Sequence, residues 1–224
     1  MTAGASPDPT FTFDSATRAL VRLSARIAGG SEQDVRDGLR EAREAQAPSV
    51  WLEELILQSY LFCGFPRALN AMREYRRASG TRDEDVGGGL VKGDEIWDGG
   101  RGEGRDDFLA AGEATCARVY GRFYERLREN IVALHPELDR WMIVEGYGKV
   151  LSRPGLDLGR RELCIIAACA ASGQDRQLHS HLHGAVNVGV LDDVIGGAID
   201  ALDGVVDSSH LSRARTLWTK VRGQ

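Results

Sequence analysis

The sequence lacks paired cysteines, long apolar runs and a basic leader. Its four cysteines include no Cys-x-x-Cys pair, which favours reduced thiols in a cytoplasmic protein over a disulfide framework. No apolar stretch is long enough to cross a bilayer. The opening residues, MTAGASPDPTFTF, have neither the apolar core nor the basic start of a signal peptide. We therefore expect no association with a membrane.

The sequence also lacks a strongly basic stretch. The net charge is −5 and no run of lysine and arginine stands out, so no nucleic-acid partner is indicated. The composition, 42% hydrophobic and 27% charged, is ordinary for a globular protein. With 224 residues the chain can form one ordinary domain or two small ones and can bury a substantial core.

Strict alternation of apolar and polar residues, which predicts β-strands, is absent as well. Apolar residues recur instead at helical spacing, as at Leu20, Leu23 and Ile27. We therefore predict an all-α fold.

Glycine and proline mark several predicted helix ends. Gly64 should break a helix and Pro66 should begin the next, because proline is tolerated in a first turn. Residues 106–131 are predicted as one continuous helix. Asn187 to Gly189 is interpreted as a helix terminator and nothing more.

Composition divides the chain into four segments. Residues 1–14 are predicted as a flexible lead, and residues 79–104, with nine glycines, as a linker or a mobile cover over a site. Residues 15–78 form a first, degenerate repeat. Residues 105–224 form a second repeat that we expect to carry the active site.

An internal repeat supports this division. Residues 18–47 align without a gap on residues 161–190, an offset of 143. Seven of the 30 positions are identical. In both segments a predicted helix, a glycine and a second predicted helix follow one another at the same positions. We interpret the two segments as a duplication.

Two polar residues of the second copy have no counterpart in the first. Glu162 pairs with Ala19, and His181 pairs with Gly38. Glu162 opens a helix that is apolar all round, which predicts burial, and the helix dipole favours a carboxylate in a first turn. A buried carboxylate is a candidate general acid or base. The alternative is a capping glutamate half in solvent.

Three of the five histidines lie within five residues, at His179, His181 and His183. On a helical projection His181 lies at one edge of the buried face, while the other two share the opposite side. That outer pair could bind zinc only with a third ligand, and none suggests itself, so we predict no metal. His181 suits proton transfer, and the alternative is a core histidine bonded to a backbone carbonyl.

Two stretches resemble a known family. GYGKVLSRPGLDLGRRELCIIAACAASG, followed by His-x-x-Gly-Ala-x-Asn-x-Gly at 181–189, resembles the carboxymuconolactone decarboxylase family of the alkylhydroperoxidase D-like superfamily. LEELILQSYLFCGFPRALNAM, residues 52–72, is similar to that family's helix-Gly-Phe-Pro-helix segment. The resemblance implies an alkylhydroperoxidase D-like helical bundle, here with two degenerate repeats, assembled as a homotrimer or homohexamer.

Members of the peroxidase branch of the superfamily carry the motif Glu-x11-Cys-x-x-Cys-x3-His. Glu162 and His181 match the outer positions, but Gln174 and Gln177 stand where that branch has cysteines. Without a thiol pair, attack on a peroxide and disulfide formation have no reacting groups. The resemblance therefore favours the decarboxylase branch, with alkylhydroperoxidase-like, peroxiredoxin-type redox chemistry as the alternative.

The implied reaction is loss of CO2 from a small acidic lactone, without a cofactor. His181 would donate the proton, and Glu162 would orient it or hold the proton. Cations should bind the anionic substrate and an aromatic residue should wall the pocket. The predicted substrate-binding residues are Arg153, Arg161, Tyr147 and His183. A non-catalytic helical oligomerisation module remains as a further alternative.

Overall fold

The predicted all-α fold is confirmed. The computed structural model describes residues 12–80 and 103–223, and all regular structure in these ranges is helical. None of the helices in the described part is long and apolar enough to cross a membrane. Most of the predicted lead and linker lies outside the described residues. The helices are α1 Ser15–Gly29, α2 Glu32–Glu44, α3 Ser49–Ala78, α4 Glu103–Tyr120, α5 Tyr124–Leu134, α6 Pro136–Trp141, α7 Leu158–Ser172, α8 Asp175–Asn187, α9 Asp192–Asp200 and α10 Ser208–Val221, with a 3-10 turn at Gly121–Phe123 and a π-helix at Met142–Leu151.

Equivalent aspartates begin α1 and α7. Asp14 accepts a hydrogen bond from the backbone N–H of Thr17 at 2.7 Å, and Asp157 accepts one from the backbone N–H of Arg160 at 2.9 Å. Each pair of positions is 143 residues apart, as the repeat requires. Because a side chain that accepts from the first-turn N–H groups stabilises a helix start, both copies begin by the same device.

The repeat is longer in the structure than in the sequence comparison. α1, α2 and α3 begin at Ser15, Glu32 and Ser49, and α7, α8 and α9 each begin 143 residues later. The part of α3 that follows its break at Gly64 corresponds to α10 in the same way, and both end in step. Buried residues coincide at Leu52 and Ile195, Ile56 and Ile199, Ala71 and Ala214, and Tyr75 and Trp218.

This register refines the predicted second repeat of residues 105–224. The second copy corresponds to α7–α10, so the helices from α4 to the π-helix precede it and are not part of the repeated unit. α4 and the π-helix pack together with their backbones in contact. A Cβ added at Gly112 would collide with the carbonyl oxygen of Ile143, and one added at Gly148 would collide with that of Phe108. Glycine is needed at both positions for this close approach.

The structure confirms one predicted helix break and departs from the sequence analysis at two other places. Gly64 breaks α3 as expected, with φ 79° and ψ 161°, and Pro66 lies in the turn that follows. The helix predicted over 106–131 is interrupted, because Gly121 adopts φ 52° and a 3-10 turn separates α4 from α5. The π-helix was not predicted, since its sequence, MIVEGYGKVL, has an ordinary helical pattern.

Candidate functional site

Glu162 lies inside α7 and not at its first turn. The helix begins at Leu158, so Glu162 is its fifth residue, and the side chain is fully buried. The predicted stabilisation by the helix dipole is therefore wrong, since that effect falls off within the first turn. The carboxylate depends instead on the side chains that α4, α8 and the π-helix place around it.

His181 is the partner of this carboxylate. Nδ1 of His181 lies 2.8 Å from Oε2 of Glu162, and the imidazole is buried with 5% of its surface exposed. With Glu162 ionised, this contact places a proton on Nδ1 and leaves Nε2 to take up or release a second proton. The contact joins the two positions whose counterparts in the first copy are Ala19 and Gly38, so the first copy cannot form the same pair.

The pair has room because residue 184 is glycine. A Cβ at Gly184 would lie 2.6 Å from Oε2 of Glu162 and 2.8 Å from Cγ1 of Val119. On the other side, the ring of Phe62 meets the imidazole of His181 edge-on, with centroids 5.5 Å apart. Since Phe62 belongs to α3, the first copy contributes to the site although it lacks the polar pair.

One oxygen of the buried carboxylate is unsatisfied. Oε1 of Glu162 is enclosed and has no hydrogen-bond partner among the described residues. A buried acceptor without a partner costs about 1–3 kcal/mol, so it is retained where function offsets that cost. Oε1 can accept a hydrogen bond from a ligand or from a water molecule that reaches the pair.

Two tyrosines border this carboxylate. The rings of Tyr120 and Tyr147 meet edge-on with centroids 6.2 Å apart. Burial is the main cause that raises the pKa of Tyr147 well above its usual value, and the charges of Tyr120 and Glu162 add to it. Burial likewise raises the pKa of Tyr120. Both phenols therefore stay neutral at ordinary pH and can donate hydrogen bonds. The role of Tyr147 in substrate binding stays a prediction.

The two arginines predicted to bind substrate are engaged elsewhere. Arg161 is fully buried, and its guanidinium donates to Glu54 at 2.7 Å and to Gln58 at 3.1 Å. Arg153 donates to the same carboxylate at 2.9 Å. Neither makes a hydrogen bond to Glu162 or His181 in the described chain. Glu54 can neutralise only one of these two positive charges, and it ties Arg161 of α7 and the preceding Arg153 to α3. The role of the two arginines in substrate binding stays a prediction.

His179 and His183, the other two histidines of α8, lie on the outer side of that helix. The rings of His179 and His183 meet edge-on with centroids 4.8 Å apart, and both side chains are half-buried. Burial, with help from His179 and Arg122, lowers the pKa of His183 below its usual value. Across the described residues, no group of three histidine, cysteine, aspartate or glutamate side chains converges on one point. The structure thus separates this pair from His181, as the helical projection predicted.

Asn187 was interpreted as a terminator only, and this was incomplete. Its side-chain amide donates to the backbone carbonyl of Val119 at 2.8 Å, which ties the end of α8 to α4. Val119 also flanks Glu162, so Asn187 and Gly184 both fix how α8 approaches the carboxylate. Sequence reasoning missed these residues because Val119, which both approach, lies more than 60 positions away in the sequence.

The four cysteine side chains are mostly protonated at ordinary pH, so little of the reactive thiolate form is present. All four are free, and burial raises the pKa of Cys63 to about 11 and those of Cys116 and Cys169 to about 12. Burial raises the pKa of Cys164 further. Because the thiolate is the reactive form, these side chains are poor nucleophiles as they stand.

The described helices form an all-α bundle that encloses a glutamate–histidine pair, and such a bundle is consistent with the alkylhydroperoxidase D-like type. The model of the carboxymuconolactone decarboxylase family matches residues 136–220, which include both members of the pair. This confirms the resemblance for that segment. Peroxisomal protein 2 of Schizosaccharomyces pombe (strain 972 / ATCC 24843) is 28% identical over 162 residues, which cover 71% of this chain and 71% of that protein.

Proposed function

We propose that the protein is a cofactor-independent decarboxylase of a small acidic lactone, with His181 as the proton donor and Glu162 as its partner. The observation that carries the proposal is the 2.8 Å contact between Nδ1 of His181 and Oε2 of Glu162. Both side chains are buried, and Oε1 of Glu162 has no hydrogen-bond partner among the described residues. The match of residues 136–220 to the decarboxylase family supports the reaction class.

The chemistry follows from the atoms that the pair presents. The bond between the substrate carbon and its carboxylate breaks, CO2 leaves, and the electron pair delocalises into the conjugated lactone. Nε2 of His181 then gives its proton to that carbon, while Glu162 stabilises the imidazolium beforehand through Nδ1. Solvent returns a proton to Nε2, so each turnover consumes one substrate carboxylate and one proton and releases one CO2.

The surroundings of the pair suit this step. Low water access strengthens the attraction between a carboxylate and an imidazolium. The phenols of Tyr120 and Tyr147, neutral because burial raises their pKa values, can donate to the oxygen on which negative charge develops. No metal or cofactor is needed for the electron pair to be accommodated, because the lactone itself accepts it.

The redox alternative has less support. Its chemistry needs thiols at positions 174 and 177, which are glutamines, and the pKa values of the cysteines present are raised by burial. A peroxide-reduction assay with a thiol reductant separates the two functions. We expect no activity above that of a Cys63→Ser, Cys169→Ser variant. Peroxide reduction at the rate of a dithiol peroxidase would contradict the decarboxylase proposal.

The direct experiment offers the protein a panel of carboxylated lactones, beginning with the one after which the family is named. Loss of CO2 is followed manometrically and by absorbance, in D2O as well as in H2O. We expect one CO2 per substrate and one deuterium at the carbon that carried the carboxylate. A His181→Gln variant should lose both signals. CO2 release that is unchanged in this variant would overturn the assignment of the proton donor.

A further inference from the structure

A broad cleft lies on the outer side of α8. It encloses about 1230 Å³ between α8, the segment that joins α4 to α5, and the end of α10. This volume exceeds the range of about 300–1,000 Å³ common for small-ligand pockets, and it is larger than a single lactone needs. The cleft therefore calls for an explanation beyond the proposed reaction.

Positive charge dominates its walls. Arg118, Arg122 and Arg126 are spaced four residues apart and all face the cleft, and Arg222 faces them from the end of α10. All four are exposed, and none forms an ion pair with a carboxylate among the described side chains. Because these like charges gather in one cleft they repel one another, and a bound anion would relieve that repulsion. Asp192 is the single acidic residue in the lining.

The charge is local and not a property of the whole protein. The chain carries a net charge of −5, so a basic cleft stands out against an acidic background and attracts anions to one place. His179 and His183 face the same cleft.

The cleft also offers an apolar surface. Phe123 is 48% exposed and Val186 is 41% exposed, and both line the cleft beside the arginines. The guanidinium of Arg122 lies 4.8 Å from the centroid of the Phe123 ring. Cations next to exposed apolar groups fit a ligand that has both a charged end and an apolar body.

We propose that this cleft binds a small amphipathic anion, a carboxylate on an apolar body larger than the lactone. The volume, the three arginines that line it and the adjacent apolar side chains carry the inference. It does not rest on the proposed decarboxylation, because the cleft lies on the face of α8 opposite His181. Tyr120 and Val119 line the cleft and also flank Glu162, so the bound anion lies one side chain away from the buried pair.

The experiment is a calorimetric titration of the full chain with decanoate below its micelle concentration. We expect one molecule bound per chain, with decan-1-ol and decyltrimethylammonium each binding at least tenfold more weakly. An Arg122→Gln, Arg126→Gln variant should weaken decanoate binding about tenfold, since each lost charge contact changes affinity severalfold. A Val186→Ser variant should weaken it about threefold.

The matched control is Arg36→Gln with Arg40→Gln, two exposed arginines four residues apart on α2, and it should leave binding unchanged. His181→Gln should also bind decanoate normally, which separates this inference from the decarboxylase proposal. Equal affinity for decanoate and decan-1-ol, or undiminished binding by the Arg122, Arg126 variant, would overturn the inference. A second copy of the chain that closes the cleft would also overturn the inference. It would be detected as decanoate binding that weakens as the protein concentration rises.

Discussion

Thr17 and Arg160 occupy equivalent positions in the two copies and contact each other, with Nε of Arg160 donating to Oγ1 of Thr17 at 2.9 Å. They lie 143 residues apart, the offset of the repeat. Farther along the same helices, Ser24 donates to the backbone carbonyl of Cys164 at 2.6 Å. α1 and α7 thus pack with their equivalent ends together, as the two halves of a pseudo-symmetric dimer would.

The two copies differ in what they place at the polar pair. The second copy carries Glu162 and His181, whereas the first places the ring of Phe62 against His181. The buried carboxylate of Glu54 lies with the arginines and not at the pair. The cross-links between the copies are therefore expected to matter for stability more than for chemistry.

The buried ion pair between Glu54 and Arg161 gives a stability prediction. Glu54→Gln removes the charge that compensates a guanidinium with no exposure, and breaking a buried pair in this way costs about 3–5 kcal/mol. Urea unfolding measures the cost. The control Asp37→Asn breaks the exposed pair with Arg40 and should cost less than about 1 kcal/mol. Comparable costs in the two variants would mean that the buried pair is not important.

Gly184 gives a prediction about positioning. In Gly184→Ala the added Cβ would stand 2.6 Å from Oε2 of Glu162, and the enclosed carboxylate cannot swing away. We expect kcat to fall at least tenfold while KM changes little, because a displaced partner misorients His181 in the transition state. The control Gly196→Ala, on α9, has a Cβ position 3.6 Å from its nearest neighbour and should retain activity. Normal kcat in Gly184→Ala would contradict the close approach.

The His183 imidazole gives a pH dependence with a definite sign. Burial, His179 and Arg122 lower its pKa in the folded protein below the usual 6.5. As the pH falls below 6.5, the unfolded chain therefore takes up the proton first, and the folded state loses stability. His183→Gln should reduce the loss of melting temperature between pH 7.5 and pH 5. An identical pH dependence in the variant would show that the cleft does not perturb this histidine.

Assembly remains a prediction, and the surface that would carry it can be named. α5 has no buried residue, and its last residue, Leu134, is 74% exposed. Trp141, at the end of α6, is 53% exposed. Exposed apolar clusters of this kind mark interaction sites. Light scattering should return a trimer or hexamer, and Leu134→Arg should dissociate it while Leu69→Arg, at another exposed leucine, should not. A mass near 24.4 kDa for the wild-type chain would contradict the prediction.

Local signals made much of the fold predictable. The all-α class and the break at Gly64 follow from periodicity and from backbone preferences that each residue carries alone. The inward orientation of His181 followed in the same way. The π-helix did not, because its sequence has an ordinary helical pattern.

Long-range contacts decided what could not be predicted. The engagement of Arg161 by Glu54 joins residues 107 apart, and nothing near either residue in the sequence indicates it. The repeat also continues through α9 and α10, where few identities remain because packing preserves burial and helix register rather than residue type.

The most direct test of the central claim is a kinetic double-mutant cycle on Glu162 and His181, measured as the rate of CO2 release from the best lactone substrate. Each of Glu162→Ala and His181→Ala should lower turnover by roughly a hundredfold or more, and the double variant should be no worse than the poorer single one. His179→Ala and His183→Ala should stay within a few-fold of wild type. The account is contradicted if the outer two variants abolish turnover together with bound zinc while His181→Ala remains active.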